Sequence, residues 1–228
     1  RLNPQGPYFS SFIKQYSYNP FSQYGERLDT VLSQKACDSE TTDMLRLSFP
    51  LMIEYYGHEY ADSFFSTLKE FNFVILGNKD STYDAIKKYT PNNIIRTSDE
   101  DAVGKTQLEL SSGICSALPI LEIKDGKISI AGKTSIIIIK RSSSQLDTLA
   151  CFVHELSHAL KSTQNAMNLL EDENGNLILA SRSGLSVSYS RISFENGIFI
   201  LDDYKEINTG LEEGINSYDE TNIINRIL

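Results

Sequence analysis

The sequence predicts an α+β fold, and three observations carry that prediction. Helical periodicity dominates before residue 90, strand patterns and tight-turn pairs dominate from Leu118 to Arg141, and a helix, further strands and a last helix follow. The chain has 228 residues, enough for one sizeable core or for one core with two lobes around a cleft. The expected division is a helical N-terminal region over 1–90, packed on a unit over 91–228.

Taken in order, residues 1–27 hold Pro4, Pro7 and Pro20 among aromatic, Ser and Asn residues and read as an extended lead-in that wraps on the rest. From Ser39 to Phe73, Met44, Leu45, Leu47, Leu51, Met52 and Tyr55 recur near helical spacing, with Pro50 expected to break or start a helix. Asp80 to Tyr89 reads as a short helix closed by Thr90-Pro91. The acidic Asp99-Glu100-Asp101 reads as a solvated loop. Glu122-Ile123-Lys124 and Lys127-Ile128-Ser129-Ile130 flank Asp125-Gly126, a hairpin signal. Ile136 to Ile139 suit a strand buried on both faces. Ser142-Ser143-Ser144 caps a helix from about Gln145 to Lys161. Glu173-Asn174-Gly175 and Glu195-Asn196-Gly197 each precede an apolar strand and read as turns, and a last helix runs from Thr209-Gly210 toward Leu228.

Composition narrows the partners. The net charge of −9 repels phosphate backbones, so nucleic acid is not an expected partner. No run approaches 18 apolar residues, so no membrane span is expected. Cys37, Cys115 and Cys151 are odd in number and widely spaced, which is no disulfide framework and fits a reducing compartment. The chain begins at Arg1, which leaves room for a removed signal or anchor. Gly104-Lys105-Thr106 and Gly132-Lys133-Thr134 lack the upstream glycine of a phosphate loop, with Asp99 and Lys127 in its place. Asp172-Glu173-Asn174-Gly175 lacks the bidentate Glu of a calcium loop.

The chemistry concentrates in His154-Glu155-Leu156-Ser157-His158. Helical residues four apart share a face one turn up, so both imidazoles can reach one ion. Glu155 is rotated away from them but close to their common ion, which suits a proton carrier better than a ligand. Two of the three histidines fall in this pattern. A catalytic zinc site takes three protein ligands and leaves a fourth position open. Cys151 lies seven residues before His158, about 10 Å along the helix axis, too far to share a tetrahedral ion with both histidines, and reads as a buried core thiol. His58, beside tyrosines, reads as structural, and the segment Gly210 to Tyr218 is the better source of the third ligand.

His-Glu-x-x-His followed by a second helix carrying Leu211-Glu212-Glu213-Gly214-Ile215 resembles the gluzincin class of zinc metallopeptidases, as seen in small bacterial members. The resemblance covers about residues 134–228. It implies a zincin-like fold, zinc held by His154, His158 and Glu213, and peptide-bond hydrolysis with Glu155 as general base. It also implies a peptide or protein substrate paired to an edge strand, and an oxyanion-stabilising Tyr, for which Tyr204 matches the place and Tyr189 and Tyr218 are alternatives. Gly214 would let the two helices approach closely, and Glu212 would point elsewhere, as a solvated carboxylate. The acidic residue usual one turn after the third ligand is Ser217 here, so Asn216 or Ser217 is the expected partner of His154. The rival expectation is a non-catalytic zinc-fold module for binding or adhesion.

Overall fold

The computed structural model describes residues 23–35, 37–161, 167–183 and 185–227. The expected lead-in at 1–22 lies outside them, and its last residues belong instead to helix α1 (Gly25–Ser33), whose Leu28, Val31 and Leu32 are buried. Helix α2 (Ser39–Tyr56) is capped by Asp38, which accepts from the Thr41 amide at 2.7 Å. Pro50 sits inside α2 without ending it, because Phe49, Met52 and Ile53 on either side are fully buried and their packing outweighs one lost hydrogen bond. Gly57, at φ 125°, ends the helix, and a 3₁₀ turn (His58–Tyr60) leads into α3 (Ala61–Glu70). The expected helix therefore stops short of Phe73. Phe71–Leu76 is strand β1, pairing in parallel with a later strand from Phe71↔Ser135 to Leu76↔Lys140.

Helix α4 (Thr82–Tyr89) is capped by Ser81 and ends at Thr90, ahead of Pro91. Strand β2 (Ile94–Arg96), α5 (Thr97–Glu100) and α6 (Ala102–Leu110) follow. The acidic run is thus not a plain loop. Asp99 and Glu100 end α5, and Asp101 caps α6 by accepting from the Gly104 amide at 2.6 Å. Strands β3 (Gly113–Lys124) and β4 (Lys127–Lys140) form the expected hairpin, with Asp125 and Gly126 at φ 53° and 73°. Helix α7 (Gln145–Lys161) begins after Ser144, whose hydroxyl accepts from the Asp147 amide. Strands β5 (Met167–Glu171), β6 (Leu177–Ser183), β7 (Ser186–Glu195) and β8 (Ile198–Ile207) then form a meander that turns at Asp172–Asn176 and at Asn196-Gly197. Helix α8 (Thr209–Ile227) closes the described chain.

Two mixed sheets result. One has the order β1-β4-β3, with β4 parallel to β1 and antiparallel to β3; the other runs β2-β8-β7-β6-β5, with β2 parallel to β8. The four isoleucines of β4 divide by alternation. Ile137 and Ile139 join the main core under α1, α2, α3, α7 and α8, while Ile136 and Ile138 pack with Leu76 and Ile86 on the opposite face. A smaller core of Leu179, Ile192, Phe199 and Leu201 lies in the second sheet. No helix among the described residues is long and apolar enough to cross a membrane. Among those residues β3 pairs on one side only, and α7 packs against it; the functional side chains gather there.

Candidate metal centre

Helix α7 buries Phe152, Val153, Leu156, Ala159 and Leu160 in the main core, which fixes its rotation. His154 and His158 then share the remaining face, with side chains 15% and 12% exposed. Helix α8 crosses it, burying Glu212, Asn216, Asp219, Ile223 and Ile227 at helical spacing. This rotation carries Glu213 to the histidines. His154 Nε2 and His158 Nε2 stand 3.2 Å apart, Glu213 Oε2 is 3.0 Å from the first, and Glu213 Oε1 is 3.3 Å from the second. Ligands of a tetrahedral zinc, at about 2.0–2.1 Å from the ion, stand about 3.3 Å from one another. The three side chains have that spacing and could hold one metal ion; their ligand atoms all fall within 4.8 Å of each other.

Each histidine's outer nitrogen has its own partner. Glu220 Oε2 lies 3.1 Å from His154 Nδ1, so neither Asn216 nor Ser217 serves His154 as expected. Asn216 instead meets the other histidine, 2.6 Å from His158 Nδ1. Glu220 falls seven residues after Glu213, two turns along the same face, a spacing that could have revealed it in the sequence. Burial pushes the His158 imidazole pKa down, with Glu213 opposing and the His154 charge adding to the fall.

Glu155 is 8% exposed and accepts from the Cys115 backbone N–H of β3. Burial first, then the charges of Glu213 and Glu220, push its carboxyl up to about 8. Gly113 makes this fit possible. A Cβ there would come within 2.7 Å of Cys151 Sγ and of Glu155 Cγ and Oε1. The expected close approach at Gly214 is absent, since a Cβ at Gly214 would meet nothing within 4 Å.

One further expectation changes. Glu212 is not a solvated carboxylate but is 2% exposed, accepting from the Leu185 amide at 2.9 Å and from Asn216 Nδ2 at 3.3 Å. Cys151 packs against the main core as expected but is not fully enclosed. It is half-buried on the cleft wall, and burial with the nearby Glu155 and Glu220 pushes its thiol up to about 12. His58 stands apart from the cluster, stacked on Tyr24 with Nδ1 2.6 Å from the Tyr24 hydroxyl.

The cluster opens into a cleft of about 890 Å³, walled by Gly113 to Cys115 of β3, by α7 and by the start of α8. Tyr204, Tyr189 and Tyr218 are not on that wall. The Tyr204 hydroxyl donates to Glu206 at 2.6 Å and its ring lies 5.6 Å from the Arg96 guanidinium; it lines a neighbouring cavity that shares Cys115 and Glu206 with the cleft. Compared with family models, with curated proteins and with solved structures, the chain matches none.

Proposed function

We propose that the chain is a zinc-dependent peptidase with a zincin-like arrangement of its two site helices. The observation that carries this reading is the convergence of His154, His158 and Glu213 with a buried Glu155 beside them. Zinc, when bound, supplies a Lewis acid that polarises a carbonyl and acidifies water. The chain's own residues supply the rest. Glu220 accepts from His154 Nδ1–H, which leaves Nε2 bare as a ligand. Glu155 is held out of the ligand set by the Cys115 N–H and by the close approach of Gly113. From there it takes a proton from water and returns it to the departing amine. The edge of β3 that is unpaired among the described residues lines the cleft at Gly113 to Cys115, and its backbone groups other than the Cys115 N–H offer pairing to an extended peptide.

The test uses protein purified without chelator. Elemental analysis should find about one zinc per chain, and mass spectrometry of a mixed peptide library should show cleavage that Glu155→Gln abolishes with zinc retained. Zinc binding without cleavage of any library peptide would favour the non-catalytic module instead.

A further inference from the structure

The two histidines differ in what faces their outer nitrogens. His154 Nδ1 meets the Glu220 carboxylate, an acceptor, which keeps the proton on Nδ1. His158 Nδ1 meets the Asn216 amide, which can donate or accept according to its orientation. The far end of that amide decides. Lys161 Nζ lies 2.6 Å from Asn216 Oδ1, and an ammonium can only donate. Lys161 is itself held, by Asp219 Oδ2 at 2.5 Å and over the Tyr56 ring at 5.6 Å. Asp219 in turn accepts from the Tyr55 and Tyr56 hydroxyls at 2.8 and 3.0 Å. With its oxygen turned to Lys161, Asn216 points its NH₂ at two acceptors, His158 Nδ1 at 2.6 Å and Glu212 Oε1 at 3.3 Å. A ring nitrogen that accepts carries no proton, so neutral His158 has its proton on Nε2, the nitrogen facing His154 and Glu213.

We propose that Lys161 and Asn216 are positioning residues that hold metal-free His158 with its proton on the metal-facing nitrogen, so that loading the site requires the Asn216 amide to turn over. The proposal rests on the reading of His154, His158 and Glu213 as a metal site. A ligating Nε2 is bare, so the proton moves to Nδ1 and needs an acceptor there. Asn216 Oδ1 becomes that acceptor after a half-turn, which sets an NH₂ against the Lys161 ammonium. The alternative acceptor, Glu212 Oε1, is 3.9 Å away. Lys161 therefore opposes loading, and a carboxylate at position 216 would remove that conflict by accepting from Lys161 and His158 Nδ1–H together, while giving up the donation from position 216 to Glu212 Oε1.

The first test needs no variant and no metal. NMR of the metal-free full chain with ¹⁵N-labelled histidine, at mildly alkaline pH, should show His158 as the Nε2–H tautomer. An Nδ1–H tautomer would overturn the proposal and leave the metal reading standing. In chelator competition, Asn216→Asp should bind zinc about tenfold more tightly than the wild type, the scale of an outer partner's effect on a ligating histidine. Ser111→Asp adds the same charge to the cleft wall without touching His158, and should tighten binding far less. Equal gains from both variants, or no gain from Asn216→Asp, would overturn the proposal. Failure of all three proteins to bind zinc would sink the metal reading itself, whatever tautomer the spectrum shows.

Discussion

Glu220, two helical turns beyond Glu213 on α8, places Oε2 3.1 Å from His154 Nδ1. This carboxylate on α8 orients the first histidine of α7, while Glu213 on the same face of α8 meets that histidine's other nitrogen at 3.0 Å. Replacing Glu220 with Ala should therefore weaken zinc binding by about 10- to 100-fold, the range for partners that orient a ligating histidine. Ser217→Ala should leave affinity near the wild-type value. Chelator competition on the two variants checks this, and the reverse ranking would show that Ser217 orients His154.

Glu212 and Glu213 are neighbours with opposite roles. Glu213 is 49% exposed at the cluster, so Glu213→Ala should lose at least tenfold in zinc affinity while folding normally. Glu212 is buried on the Leu185 amide and Asn216. Its removal orphans both donors, which costs about 1–3 kcal/mol of metal-free stability. Urea denaturation in the presence of chelator should show that loss for Glu212→Ala and not for Glu213→Ala.

The site was legible in the sequence where its logic is local. The i, i+4 histidines, the Glu between them and Glu213 lie on short stretches of helix, and the structure brings these side chains together, though not through the close approach expected at Gly214. The hairpin at Asp125-Gly126 and the doubly buried isoleucine strand were legible for the same reason. What escaped depends on partners far along the chain. Phe71–Leu76 continues an apolar run and becomes a strand only because β4 is there to pair with it. Gly113 is one glycine among thirteen until α7 is packed on β3. Glu212 reads as solvated until Leu185 meets it.

The glycines give a paired prediction. Gly113→Ala should disturb the site, because its Cβ would press Cys151 and the buried Glu155 at 2.7 Å. Gly214→Ala meets open space inside α8 and should stabilise the protein by about 0.5–1 kcal/mol through helix propensity. Thermal unfolding compares the two, and a destabilised Gly214→Ala protein would contradict the open geometry at that position.

Glu155 makes metal-free stability depend on pH in a defined direction. Its carboxyl is raised to about 8 in the fold, against about 4.3 in an unfolded chain. The folded state thus holds a proton that the unfolded state has already lost. This contribution is full below pH of about 4.3 and disappears as pH rises through about 8. His158 acts oppositely, since burial lowers its pKa from 6.5, and its effect is complete above that value. The range from about 6.5 to about 8 therefore sets Glu155 apart from His158. In chelator, the wild-type melting temperature should fall across that range. Glu155→Gln, which cannot ionise, should show a shallower fall, with the difference between the two proteins growing as pH rises. Zinc should flatten the wild-type curve, because a cation at His154, His158 and Glu213 offsets the Coulombic terms that help hold the Glu155 proton in place. Parallel wild-type and Glu155→Gln curves in chelator would mean that the buried carboxyl ionises without cost, and the proton-holding role assigned to Glu155 would fail with it.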